Sequence, residues 1–297
     1  MNNDDVIFDL AVWIDTHLET PLSLDIVAAR SGYSKWHLQR RFKDVSGQLL
    51  GQYIRGRRLS CAALELRMTR SSILSIALKY RFDSQQTLTR AFTKQFGVAP
   101  AAYRNSDEWD HARLTPPLLK GSIPIVAPKV ITLPRQYLNG MLHSYICQPA
   151  QMSKFDMDVR EHFWWRHFSQ QASLSGYLYG LSQIGPSERK KEELEIAYAT
   201  AVDMPAHLGA ERTRTAILLQ EGDYLQFDYT GTAAGLQPFI IAINQYHLPR
   251  LKVVRRKGAD IERYSLLNQE QTANRPGFIH CSYFIPCANA NAVSIYL

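Results

Sequence analysis

The sequence lacks any run of eighteen consecutive apolar residues, so no stretch reads as a membrane-spanning helix. A basic leader is missing too: Met1, Asn2, Asn3, Asp4 and Asp5 carry acid where a secretory signal carries positive charge, and the chain is expected to work in the cytoplasm, with no membrane partner. Cysteine is scarce. Cys61, Cys147, Cys281 and Cys287 show no Cys-x-x-Cys spacing and sit among apolar neighbours, which excludes a disulfide framework and reads as reduced structural thiols. His162 and His167 are five apart, a spacing that does not stack them on one helix face, and no further His or Cys completes a ligand set. No metal and no other cofactor is expected. Nucleophile elbow, phosphate loop and metal-binding helix are all missing, so the chain is not expected to be an enzyme.

What is present suffices for two folded domains. The chain has 297 residues, 45% of them hydrophobic and 11% aromatic, which is neither the composition of a disordered chain nor that of a stapled miniprotein. Its formal charge of +7 is unevenly spread: residues 1–104 hold 15 Lys and Arg against 9 Asp and Glu, while 105–297 hold 19 against 18. The first nineteen residues contain five acids and no Lys or Arg, so the excess is concentrated in 20–104. A basic surface of that kind suits phosphate contact and implies an affinity that falls steeply with salt.

The basic region is built from one module used twice. Laying Leu24 to Tyr53 over Ile73 to Tyr103 places Ala28 on Ala77 and Tyr33 on Phe82 at an offset of 49, then Arg40 on Arg90, Phe42 on Phe92, Gly47 on Gly97 and Tyr53 on Tyr103 at 50. One residue has entered the second copy at its central turn. Each copy reads as a short helix, a tight turn and a longer helix, the pattern of a helix-turn-helix. In the first, Ser34 caps a helix whose Leu38, Phe42 and Val45 form an apolar stripe, leaving Lys35, Trp36, Gln39, Arg40 and Lys43 opposite. In the second, Ser84 opens a helix with Leu88, Phe92 and Phe96 inward and Gln85, Gln86, Thr89, Arg90 and Lys94 available to read.

Such residues match base edges: Arg bonds guanine through two donors, Gln bonds adenine through a donor and an acceptor, and Thr or an aromatic ring touches the thymine methyl. Gln and Arg are also ordinary surface helix formers, so one such face alone carries little message. The same face twice carries more.

A helix expected over Asp4–His17 braces the first module through Ile7, Leu10, Ala11 and Ile14, with Asp9 and Asp15 outside. Between the modules, Gly51 to Met68 reads as a strut of about eighteen residues, roughly 27 Å long, against the ~34 Å separating successive major grooves on one duplex face. Arg55, Arg57 and Arg58 at its start are read as phosphate contacts or intradomain partners.

The run Gly32, Tyr33, Ser34, Lys35, Trp36, His37, Leu38, Gln39, Arg40, with Phe82, Asp83, Ser84, Gln85, Gln86, Thr87, Leu88, Thr89, Arg90, Ala91, Phe92, resembles the AraC/XylS family of transcription regulators, and within it the MarA/SoxS/Rob group. The resemblance runs from near Ile7 to about Pro286. It implies a monomer bound to two adjacent major grooves of double-stranded promoter DNA, RNA polymerase as a partner, and an activator of stress and multidrug-resistance genes. Arg41 departs from the pattern, since these relatives usually carry Met there; its stem is expected to snorkel or its head to find a phosphate.

Past Arg104, residues 107–124 read as a linker, with Pro116, Pro117, Gly121 and Pro124. The period then changes to two. Strands are expected at Lys129–Leu133, Leu138–Cys147, Tyr177–Ile184, Leu194–Val202, Thr215–Leu219, Tyr224–Tyr229, Ala259–Leu266 and Phe278–Ile285, with helices at Met152–Phe168 and Gly235–His247. The fold class is therefore an all-α domain (1–106) with two helix-turn-helix units, followed by an α+β domain (125–297) with pseudo-twofold β-α-β-β repeats. The second domain resembles the GyrI-like ligand-binding domains, which implies an apolar small-molecule effector. Candidate contacts are Phe163, Trp164, Tyr179, Tyr229, Glu262 and Tyr264, from a wider aromatic set with Trp165, Phe168, Tyr177 and Tyr246. Each aromatic taken alone is ordinary core, and Glu262 taken alone reads as solvated strand face. The resemblance implies instead a carboxylate that meets ligands.

Two other classes fit the sequence less well. A nucleoid protein of low sequence preference fits the charge but not the duplicated readers. A DNA-alkyl-transfer enzyme needs an activated thiolate beside a base, whereas Cys147 precedes Gln148 and Pro149, and Cys281 stands beside Ser282, Tyr283 and Phe284.

Overall fold

The computed structural model describes residues 3–120, 127–149, 151, 160, 162, 164, 177–202, 215–265 and 278–288. The chain packs as two units: Met1–Ser106 with Asp110–Ile125 and Gln245–Lys252, and Asp107–Trp109 with Val126–Asn244 and Val253–Leu297. Residues 107–124 are thus shared between them.

The first unit is helical: α1 (Asn3–Thr16), α2 (Leu24–Ser31), α3 (Lys35–Ser46), α4 (Leu50–Met68), α5 (Ile73–Lys79), α6 (Gln85–Phe96) and α7 (Pro100–Asn105). Side-chain caps set where four of them begin. Ser23, Ser34, Ser72 and Ser84 each accept a hydrogen bond from an amide of the first turn, satisfying donors that the helix itself leaves orphaned. Gly47 and Gly97 end α3 and α6 in the left-handed region, at φ 74° and 79°.

The repeat survives in three dimensions. Phe42 lies 5.3 Å from Tyr53 and Phe92 lies 5.2 Å from Tyr103, ring centroid to centroid, so one aromatic pair anchors each module. Gly32 leaves α2 at φ 72°, and its counterpart Arg81 leaves α5 at φ 63°. With the left-handed residue and the following aromatic aligned, the residue added in the second turn is Asp83. The first core gathers Ile7, Leu10, Ala11 and Ile14 of α1 with Val27, Ala28, Leu38, Phe42 and Tyr53.

Polar partners correct two expectations here. Asp15 is not outside: its carboxylate accepts from the Tyr53 hydroxyl at 3.1 Å and pairs with Arg57 at 2.8 Å. Burial and then the Asp15 charge push the Tyr53 phenol up, keeping it a donor. Arg57 also donates to the Thr115 carbonyl, and Arg58 to those of Leu18 and Thr20, so both serve the unit's own backbone while Arg55 is exposed. The head of Arg41, expected either to snorkel on its stem or to meet a phosphate, turns to Asp4 of α1, 2.5 Å away.

The second unit centres on an eight-stranded sheet in which every pairing is antiparallel. In chain order the strands are β1 (Glu108–Asp110), β2 (Lys129–Leu133), β3 (Gln136–Cys147), β4 (Leu178–Pro186), β5 (Leu194–Val202), β6 (Thr215–Leu219), β7 (Gly222–Thr232), β8 (Val254–Arg256), β9 (Asp260–Ser265) and β10 (Phe278–Pro286). The large sheet runs β2-β7-β10-β9-β4-β5-β3-β6, and β1 pairs β8 separately. Helix α8 (Ala233–Ala242) continues as a π-helix over Ile243–His247, where one uninterrupted helix was expected. The expected Met152–Phe168 helix falls mostly outside the described residues; Arg160, His162 and Trp164 are described, and all three are helical.

Alternation along each strand separates two faces. One carries Leu138, Tyr179, Leu181, Ala199, Ala201, Ile261 and Phe284; the other carries Leu178, Val202, Tyr264 and Cys281 under Trp164 and Leu236.

Candidate functional sites

The exposed faces follow from the way α3 and α6 are buried. Leu38 and Phe42 are fully buried, and a helical residue opposite such a stripe must face away. Lys35, Trp36, Gln39, Arg40 and Lys43 are all exposed, as are Gln85, Gln86, Arg90 and Lys94 in α6; Thr89 is half-buried. Trp36 leaves 68% of its surface open, and the Arg40 guanidinium sits 5.5 Å from its ring centroid. Lys35 forms an ion pair with Asp25 between two exposed side chains, a contact weak enough to be exchanged for phosphate.

Ser34 and Ser84 act as caps, accepting from the His37 amide at 3.3 Å and the Thr87 amide at 3.1 Å. Their place at the helix mouths leaves them beside any backbone the helices approach. The two faces differ in chemistry: α3 offers Trp36, Arg40 and two lysines, whereas α6 offers Gln85, Gln86, Thr89 and Arg90 with one lysine.

The sheet unit holds a buried polar cluster on the face beneath Trp164. Glu262 is 1% exposed, which overturns its reading as solvated strand surface. The β4–β9 register sets Gly180 opposite Glu262 and Leu178 opposite Tyr264, and Tyr264 is fully buried as well. One carboxylate oxygen, Oε2, accepts from the Tyr198 hydroxyl at 2.7 Å, the Tyr264 hydroxyl at 2.5 Å and Arg160 Nε at 3.1 Å; the other receives Arg160 Nη2. Arg160 Nη1 donates to the Gln237 side chain at 2.7 Å, and the guanidinium lies 5.3 Å from the centre of the Tyr198 ring.

Burial and then the Glu262 charge push both phenols well above their ordinary range, so they remain donors. A side chain at position 180 would enter this cluster: a Cβ there would stand 2.2 Å from the Tyr198 hydroxyl and 2.7 Å from Glu262 Oε2. Gly180 is what lets the carboxylate approach the backbone.

Of the expected effector contacts, Trp164, Glu262 and Tyr264 come together, the two rings 5.0 Å apart, and Tyr229 packs against the same cluster. Tyr179 does not join them. One residue from Gly180, it points to the opposite face with Ile261. Tyr246 packs within the helical unit, Tyr177 is exposed, and Phe163, Trp165 and Phe168 lie outside the described residues. Sequence reasoning missed Arg160 and Tyr198. The signal for Arg160 was its position four residues before Trp164, which places both on one helix face.

Two helix-turn-helix modules with exposed polar second helices, joined in one chain to a sheet unit with a buried charged cluster, define a DNA-binding regulator. Comparison with known proteins gives the family. A model of a helix-turn-helix domain matches residues 27–106, and a model of the GyrI-like small molecule binding domain matches residues 127–288. The transcriptional regulator Rob of Salmonella typhimurium is 44% identical over 286 residues, covering 96% of this chain and 99% of that protein, and the right origin-binding protein of Escherichia coli matches at the same identity and extent. The regulatory protein SoxS of Escherichia coli is 50% identical over 105 residues, 35% of this chain and 98% of SoxS. The chain belongs to the AraC family of transcriptional regulators, in its MarA, SoxS and Rob group.

Proposed function

We propose that the protein is a sequence-specific activator of stress and multidrug-resistance promoters, with residues 1–106 as the DNA-binding domain and 125–297 as an effector-binding domain. The observation that carries this reading is the pair of exposed polar faces on α3 and α6, each mounted on the same aromatic anchor. In this reading α3 enters one major groove through Trp36, Gln39 and Arg40, and α6 enters the next through Gln85, Gln86, Thr89 and Arg90. Ser34, Lys35, Lys43, Ser84 and Lys94 hold the backbone. Helix α4, with 19 residues and about 28 Å at the usual rise, suits that spacing, and one chain then covers an asymmetric site as a monomer. The names of the relatives support transcriptional regulation and binding to origin DNA; to these the reading adds RNA polymerase as the protein partner of activation and the cytoplasm as the compartment. Among the described residues no helix is long and apolar enough to cross a membrane.

The sheet unit takes an apolar small molecule beside Trp164, Tyr229 and Tyr264, with Glu262 at its polar end. The two halves of the sheet are repeats in this account. Its strand order supports that: β7, β10 and β9 mirror β3, β5 and β4 about the β9–β4 pair, while the edge strands β2 and β6 change places. The relatives act as regulators, and the reading assigns no catalysis to this chain. Competition footprinting of a specific duplex against random duplex tests the DNA arm: protection that survives random competitor supports a regulator, and protection that random DNA abolishes equally points to a nucleoid protein.

A further inference from the structure

We propose that residues 110–120 are a splint for DNA reading: they tie α6 to α4 and α1, fix the setting of α6 relative to α3, and so set how strictly the spacing of two base elements is read. The proposal rests on the reading of α3 and α6 as the two recognition helices, and it adds positioning residues that lie beyond residue 106.

A single helix is a compliant strut, since long helices bend and an interior glycine weakens them further. Helix α4 has both weaknesses, with 19 residues and Gly56 in its interior. The segment crosses the strut at that glycine. A Cβ on Gly56 would stand 2.5 Å from Thr115 Oγ1 and 3.2 Å from Thr115 Cβ, so the glycine is what admits the crossing chain. Hydrogen bonds hold the crossing: the Thr115 amide donates to Ser60 Oγ at 2.8 Å, and Arg57 Nη1 donates to the Thr115 carbonyl at 2.7 Å. The Ser60 hydroxyl in turn donates to the Gly56 carbonyl at 2.9 Å, and Ser60 is buried.

On either side of the crossing the segment is fastened to a different module. Toward α6, the Gln95 side chain donates to the Arg113 carbonyl at 3.0 Å, and Arg113 Nη1 donates to the Gln95 carbonyl at 3.3 Å. Toward the first module, the Leu118 amide donates to the Tyr53 hydroxyl at 3.1 Å and the Leu118 side chain packs on the first core. Lys120 then pairs with Asp5 of α1 at 3.0 Å. The end of α6, the middle of α4 and the aromatic anchor of the first module are thus linked by one short stretch of chain within the helical unit. Such a tie resists bending of the strut. Bending moves one recognition helix relative to the other, which alters the spacing a duplex must offer and leaves the bases preferred within each element unchanged.

The test compares a duplex selected from random DNA by the full-length protein with copies that carry one base pair more or less between the two elements, and with copies mismatched inside one element. An added pair turns the second element by about 34–36° around the axis. Wild type is expected to bind the altered spacings about tenfold or more weakly. Gly56→Ala, whose methyl displaces Thr115, is expected to cut that penalty by about threefold or more and to keep the mismatch penalty of wild type. Adding Thr115→Ala, which removes the Oγ1 and Cγ2 in the way, is expected to restore the spacing penalty. Deuterium uptake at residues 111–120 reports release of the segment; should Gly56→Ala not raise it, or not fold, Leu118→Asp serves as the releasing variant. A released segment with an unchanged spacing penalty, or with spacing and mismatch penalties reduced alike, overturns the splint and leaves the two-groove reading standing. Wild-type protein indifferent to spacing removes both.

Discussion

Arg40 and Arg160 do opposite things with the same side chain. Arg40 is exposed on α3, stacked on an exposed Trp36, and the core of its helix lies on the far face. Arg160 is buried, tied to Glu262, Gln237 and Tyr198, and is itself part of the packing of the sheet unit. In the helical unit the exposed polar face is thus separate from the core, whereas in the sheet unit the charged cluster is part of the core. A change on the reading face of α3 should alter what is bound and leave stability alone; a change beneath Trp164 should do both.

The strongest way to sharpen that contrast is Glu262→Ala. It leaves the Arg160 guanidinium buried without its counter-charge, and we expect a loss of about 3–5 kcal/mol in the denaturant-unfolding free energy of the sheet unit. Gly180→Ala comes next: the added methyl collides with the Tyr198 hydroxyl and Glu262, and a loss of ~1–3 kcal/mol by the same measurement is expected. On the helical side, Arg40→Ala should cost ~1–3 kcal/mol of specific DNA binding and relax discrimination at one base position. Its unfolding free energy should stay within about 0.5 kcal/mol of wild type, and a larger loss would break the contrast. Lys43→Ala should weaken binding to all sequences alike and reduce the slope of log affinity against log salt by about 1. Smallest is Asp4→Asn, which removes a half-exposed partner of Arg41 and should cost ~1 kcal/mol or less of stability in a thermal melt.

The same contrast explains what could be read from the chain before its structure. Helices and strands were legible because their apolar residues recur at the period of each element, and the limits of β2, β5 and β6 match the expected spans residue for residue. The exposed polar faces of α3 and α6 were legible because the module occurs twice and the outward set is what remains once Leu38, Phe42, Leu88 and Phe92 are buried. Alternation along β9 placed Glu262 and Tyr264 together but could not say whether that face would be covered. Covering it depends on Arg160, 102 residues away, and on β5, which supplies Tyr198. The links between Asp4 and Arg41 and between Asp15 and Arg57 were equally hidden, because each joins turns of different helices. Tyr179 shows the cost of ignoring the pleat: a single step from Gly180 moves a candidate contact to the opposite face.

The central claim is that α3 and α6 read two separate parts of one asymmetric site. Selection of binding sites from random duplex by the full-length protein, repeated with Arg40→Ala and with Arg90→Ala, tests it most directly. Two short preferred elements about one helical turn apart are expected, with Arg40→Ala blurring one and Arg90→Ala the other. Recovery of no preferred order of bases, or equal blurring of both elements by either substitution, would contradict it.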